Sequence, residues 1–299
     1  MTRRPPHPFA KGHGARNDFI VLPDPDNRLR LTEDLVRSLC DRRTGIGADG
    51  ILRAVHTTTL TAATDAGREA EWFMDYRNPD GSTGTTCGNG IRVLARYLVD
   101  TGLCPPGALP IATRAGTRHV HVPHPSPRFH GDVTVNMGRP ELPGPDTITV
   151  TAAGRTWPAL HVDMGNPHAV VLPGDLDHAG PLTTAPTVTP EEAFPHGVSV
   201  GFAVPQRPGH IALRVHERGA GETPSCGTGA CAAVTALRHA DPADSADSYL
   251  VHAPGGRLRV AVLPDNTLYL TGPAAITTHG TLHLPALRTD PTPNITTAA

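Results

Sequence analysis

Two cysteines in this chain sit in matching local settings, Cys87-Gly88-Asn89-Gly90-Ile91 and Cys226-Gly227-Thr228-Gly229-Ala230. Each opens a stretch with helical spacing of apolar residues, so each sulfur stands at a helix N-terminus, where unpaired N–H groups carry partial positive charge. That setting lowers a thiol pKa and makes thiolate available. The glycines leave the backbone N–H groups of Gly88, Asn89, Gly227 and Thr228 open to a carboxylate. Two such helix starts aimed at one carbon would supply a base on one face, an acid on the other, and donors for charge spreading into an adjoining carboxylate. Those are the three requirements for inverting an amino-acid α-carbon. A lone Cys-Gly pair is more often a small buried residue or a turn. Two copies with one glycine spacing, 226 − 87 = 139 residues apart in a chain of 299, argue for function instead.

The remaining cysteines, Cys40, Cys104 and Cys231, lack the glycines and read as structural. Five cysteines without a C-x-x-C pair fit neither a disulfide framework nor a zinc ribbon, so reduced thiols and no metal are expected. Lys11 is the single lysine, against 26 − 1 = 25 arginines. A pyridoxal phosphate enzyme needs a Schiff-base lysine and would hang on that residue alone, so no cofactor is expected.

The elements that must hold these residues are mostly strands. Alternating or β-branched runs occur at Phe19–Leu22, Ile51–Val55, Trp72–Tyr76, Arg118–Val122, Val133–Met137 and Leu160–Met164, then at Val198–Val204, Ile211–His216, Tyr249–His252, Leu258–Val262 and Leu268–Leu270. Three segments read as helices: Thr32–Cys40 with Thr32 as N-cap, Gly88–Val99 and Gly227–His239, the last two each expected to pack one face into a core. The repeated cysteine turn predicts two similar domains facing each other, with the Pro-rich Pro123–Pro127 as the crossing point and a loose tail from Pro285 to Ala299. High Gly (31) and Pro (32) with 4% aromatics favour short elements and tight turns over helical bundles. A net charge of −2 without like-charge runs offers no footprint for nucleic acid or anionic lipid. The basic opening Met1–Pro6 is followed by no apolar stretch, so a cytoplasmic protein with a small amino-acid substrate is expected, with no membrane partner and a homodimer left open.

Four motifs, in this order, resemble the diaminopimelate epimerase family over nearly the full length. They are Lys11-Gly12-His13-Gly14-Ala15-Arg16-Asn17-Asp18-Phe19; Asn78-Pro79-Asp80-Gly81-Ser82 followed by Cys87–Arg92; Gly165-Asn166-Pro167-His168; and Glu217–Thr223 followed by Cys226–Gly229. The resemblance implies an α+β fold of two pseudo-symmetric domains, each a mixed or antiparallel sheet wrapped around a central helix. Residues 1–126, joined by the C-terminal segment 275–299, would form one domain and 127–274 the other. It also implies cofactor-independent and metal-free interconversion of LL- and meso-2,6-diaminopimelate, in lysine and peptidoglycan precursor biosynthesis. Cys87 and Cys226 would be base and acid. Asn17, Asn78, Gly88, Asn89, Asn166, Ser199, Glu217, Arg218, Gly227 and Thr228 would bind substrate, with His168 a candidate to steady a thiol.

Read as chemistry, Arg218 beside Glu217 offers a cation and an anion to the substrate's second amino-acid group, although alone such a pair is usually a weak surface ion pair. Asn166-Pro167 alone would be a turn. Ser199 stands where the family usually carries asparagine, and Gly12 and Ala15-Arg16 depart from its opening segment. These departures keep open a racemase for another amino acid. From a different class, a thiol or metal-binding protein built on Cys87, Cys226 and His168 is the alternative.

Overall fold

The computed structural model describes residues 6–60, 69–124, 131–144, 148–242 and 246–283. Two compact units emerge: residues 1–14, 18–135 and 273–299 form the first, and residues 15–17 with 136–272 form the second. The Pro123–Pro127 crossing lies largely outside the described residues, as does the tail from Pro285.

The first unit runs through β1 (His7–Gly14), β2 (Asn17–Pro23), α1 (Glu33–Cys40), β3 (Ile51–His56), β4 (Trp72–Arg77), α2 (Gly88–Asp100), β5 (Gly107–Thr113), β6 (Gly116–Val122) and β7 (Val133–Gly138). β2 pairs parallel to β3, β3 antiparallel to β4, β4 parallel to β5, β5 antiparallel to β6 and β6 antiparallel to β7. Thr32 caps α1 by accepting from Leu35 N at 3.3 Å. Val36 and Leu39 of that helix are buried against Ile20, Leu22 and Ile51.

Behind β7 the second unit carries β8 (Ile148–Ala152), β9 (Arg155–Asp163), β10 (Pro167–Val171), β11 (Thr187–Thr189), β12 (Ser199–Arg207), β13 (His210–Glu217), β14 (Gly221–Thr223), α3 (Gly227–Ala240), β15 (Ser248–Ala253), β16 (Gly256–Val262) and β17 (Leu268–Gly272). Its pairings run β10 parallel to β12, β12 antiparallel to β13, β13 parallel to β15, β15 antiparallel to β16 and β16 antiparallel to β17. That is the pairing sequence of the first unit from β2 to β7, and α3 follows β13, with the short β14 between, as α2 follows β4. The internal repeat therefore extends from the cysteine turn to the whole unit. The chain then returns as β18 (Ala275–Leu282), antiparallel to β1 in the first unit.

Each sheet wraps its helix. α2 packs on β1, β3, β4, β5, β6 and β18, and every residue from Gly88 to Val99 is buried. The expectation that α2 packs one face into a core is thereby corrected, because strands surround it. α3 likewise packs on β9, β10, β12, β13, β16 and β17. The fold is α+β, with a central helix in each unit. Gly12, a departure in the opening segment, has a structural reason: a Cβ there would lie 2.6 Å from Ala275 O and 3.0 Å from Val93 Cγ1. A β-bulge between Lys11 and Gly12 brings β1 that close to β18 and α2.

Candidate active site

In the first unit Cys87 is the N-cap of α2, with extended backbone, and its Sγ accepts from Gly90 N at 3.3 Å. The sulfur takes the place of the side-chain oxygen of an ordinary cap. A Cβ on Gly90 would stand 2.9 Å from Leu52 Cδ2 and 3.4 Å from the sulfur, so glycine is what lets the cysteine lie over its own helix. Asn89 is buried, and its Oδ1 accepts from Arg92 Nη2 at 2.8 Å. Asn78, half-buried at the end of β4, donates from Nδ2 to Ser82 Oγ at 2.9 Å, in the turn that leads toward Cys87.

The second unit repeats this arrangement. Cys226 caps α3, and Gly229 N donates to its Sγ at 3.3 Å. A Cβ on Gly229 would meet Val215 Cγ2 at 3.0 Å and the sulfur at 3.3 Å. Thr228 Oγ1 lies 3.4 Å from Cys226 Sγ and 3.0 Å from His168 Nε2. His168 is therefore placed beside Thr228, one hydroxyl away from the thiol. It is fully buried, and burial, with Arg218 and His161 adding, pushes its pKa down to about 3, so the ring is neutral.

Burial, and then the Glu217 carboxylate, raise the Cys226 thiol well above its ordinary range. The expected lowering by the helix start is overridden there, because removal from water penalises the thiolate more than the Thr228 and Gly229 donors favour it. The three cysteines read as structural are buried, and burial pushes Cys40 and Cys104 up to about 11.

Five more of the candidate residues lie in the second unit. Ser199 is paired with His168 across β10 and β12, and its Oγ accepts from Arg218 N at 3.2 Å. The Arg218 side chain is exposed and donates to His196 O at 3.0 Å. It lines a cavity of about 490 Å³ with Phe194, Val198 and His216. Glu217 accepts a hydrogen bond from Thr223 Oγ1. Asn166 is half-buried, and its Oδ1 has no hydrogen-bond partner among the described residues. Asn17 is buried, in the three-residue segment that belongs to the second unit. The two residues before it, Ala15 (φ 51°) and Arg16 (φ 65°), occupy the left-handed region that glycine would enter without strain.

A family comparison decides what these two helix starts belong to. The diaminopimelate epimerase family description matches residues 9–143 and 160–277. The chain belongs to the diaminopimelate epimerase family. Diaminopimelate epimerase of Streptomyces coelicolor is 50% identical over 277 residues, covering 91% of this chain and 94% of that one. That of Rhodococcus opacus is 44% identical over 284 residues, covering 92% and 96%. Among solved structures, a hydroxyproline epimerase from Agrobacterium vitis superposes with a TM-score of 0.69 at 16% identity, over 98% of this chain and 96% of that one. A phenazine biosynthesis protein of the PhzF family from Bacillus anthracis gives 0.63 at 15%, over 93% and 99%. Those two likenesses concern the fold. Within the family frame, the sequence motifs missed two supports. Arg92 is a fully buried arginine on a helix that should be apolar, and Thr223 lies three residues before Cys226; the only hint of either was a polar residue in a motif. Among the described residues no three His, Cys, Asp or Glu side chains are grouped to hold a metal ion, and no helix is long and apolar enough to cross a membrane.

Proposed function

We propose that this chain is an isomerase that interconverts LL- and meso-2,6-diaminopimelate, with Cys87 and Cys226 exchanging the roles of base and acid. The observation that carries this reading is the duplicated cap: two sulfurs, each accepting from the amide three residues on at 3.3 Å, each beside side-chain-free glycines. In one direction a thiolate takes the α-proton and becomes a thiol. The electron pair left on carbon spreads into the carboxylate, and the other thiol then delivers its proton to the opposite face, becoming the thiolate. No atom is gained or lost, and the return direction starts from the exchanged pair.

The amides of Gly88, Asn89, Gly227 and Thr228 would hold the reacting carboxylate, whose negative charge grows in the transition state. Asn17, Asn78, Asn166, Ser199, Glu217 and Arg218 would hold the rest of the substrate. The Arg218 guanidinium suits a carboxylate, and Glu217 an ammonium group. A protein making lysine and cell-wall precursors in this way would work in the cytoplasm.

Cys87→Ser and Cys226→Ser should each leave the circular dichroism spectrum unchanged and lower epimerisation roughly a thousandfold, the scale of one lost acid or base. Full activity in either variant would sink the scheme. Exchange of solvent deuterium into a panel of amino acids tests the substrate, and a strong preference for one without the distal amine would replace diaminopimelate.

A further inference from the structure

We infer that Arg92 is a positioning residue for the carboxylate cradle at the α2 start, acting through the Gly88–Asn89 peptide and the Asn89 side chain. The inference rests on the epimerase reading above and gives a task to a motif residue that reading leaves unused. Arg92 is 0% exposed. Its guanidinium donates from Nη1 to Gly88 O at 2.9 Å and from Nη2 to Asn89 Oδ1 at 2.8 Å. The first acceptor belongs to the same peptide unit as the Asn89 N–H, one of the donors proposed to hold the substrate carboxylate. A cation bonded to that carbonyl draws density from the peptide and makes its N–H a stronger donor, the cooperative effect expected along a hydrogen-bond chain away from water. The second contact fixes which way the Asn89 amide is turned, because the oxygen faces the guanidinium and the NH2 group must face away.

Space is reserved for this fork. A Cβ on Gly14 would lie 3.3 Å from Arg92 Nη2 and 3.2 Å from Asn89 O, so β1 passes without a side chain where the guanidinium sits. At the matching position of the second unit, 139 residues on from Arg92, α3 carries the buried Cys231 in place of an arginine. There the support is Thr228 Oγ1 bonded to the neutral His168 ring. At the α2 start, the peptide that would face the developing carbanion carboxylate is thus backed by a guanidinium bonded to its carbonyl. Lysine could reach one acceptor at a time and would supply the charge without the two-point fork.

The test measures kcat and KM for diaminopimelate epimerisation, with melting temperature, for Arg92→Met, Arg92→Lys, Asn89→Ala and the double variant Asn89→Ala/Arg92→Met. Arg92→Met should lower kcat about a hundredfold, the scale of losing one preorganised oxyanion donor, with a smaller rise in KM. Arg92→Lys should recover part of that loss. The double variant should lose less than the product of the two single losses, because Arg92 acts through Asn89. With an active wild type, an Arg92→Met protein whose kcat and KM stay within twofold would overturn the inference, whatever happens to its melting temperature. Losses that multiply in the double variant would overturn the route through the Asn89 side chain. Should Arg92→Met fail to fold, wild-type kcat in Arg92→Lys does the same. A wild type inactive on diaminopimelate brings down the functional reading and this inference together, whereas the other results strike Arg92 alone.

Discussion

His168 shows how one buried side chain ties stability to pH. Its ring ordinarily titrates near 6.5, and burial in the second unit holds it down at about 3. Between those values an unfolded chain binds a proton that the folded chain refuses, so acidification from about pH 6.5 towards 3 favours unfolding. The stability held above pH 6.5 should fall at up to about 1.4 kcal/mol per pH unit for this one group. Urea midpoints across that range should show the slope in wild type and flatten in His168→Asn; an unchanged slope would mean that the ring escapes protonation some other way. Nothing in the sequence located this ring. A histidine after Asn-Pro could have closed a turn, and only the pairing of β10 with β12 places it behind Thr228.

At the scale of the element, each cysteine helix is a compromise between helix formation and sulfur geometry. Glycine at the third residue of a helix costs about 1 kcal/mol relative to alanine, so Gly90→Ala would stabilise α2 if propensity alone counted. The structure argues the reverse: the added carbon would stand 2.9 Å from Leu52 Cδ2 and press on the Cys87 sulfur. Gly90→Ala should therefore lower both the melting temperature and kcat, the latter at least about tenfold, since displacing a reacting group by a fraction of an ångström is already costly. A variant that is more stable and fully active would show that the glycine serves only the turn.

The three helices were legible because their signals are local: a Thr cap with acidic first-turn residues, and apolar spacing behind each cysteine. The predicted strands all form, β9 earlier than the Leu160–Met164 reading suggests. Among the described residues, seven strands escaped the sequence reading: β8 despite its alternating Ile148-Thr149-Val150-Thr151, and β1, β5, β10, β11, β14 and β18. β10 opens on a proline that suggested a turn, β14 has three residues, and β18 keeps most of its residues partly or fully exposed.

For the molecule as a whole, the first unit depends on a charge cluster that no sequence pattern announces. Asp75 on β4 is 0% exposed and takes bonds from Arg53, Arg77 and Arg114, while Arg53, also buried, reaches Asp24 at 3.1 Å. Removing the shared carboxylate strands guanidinium groups away from water, so Asp75→Ala should cost roughly 3–5 kcal/mol in urea unfolding. A loss below about 1 kcal/mol would mean that the arginines find other partners or water. Asp75 and Arg53 belong to strands read from mainly apolar runs, which say nothing of who meets whom. The sequence by itself determined the repeat, the two helix starts and the family, because glycine spacing, capping and periodicity act over a few residues and survive as pattern. Tertiary structure alone decided that α2 is enclosed on all sides, that Cys226 is held as a thiol, that Arg92 grips the Gly88–Asn89 peptide and that His168 stands behind Thr228. Each of those depends on desolvation and on contacts between distant segments, and water is excluded only once the sheets have closed around their helices.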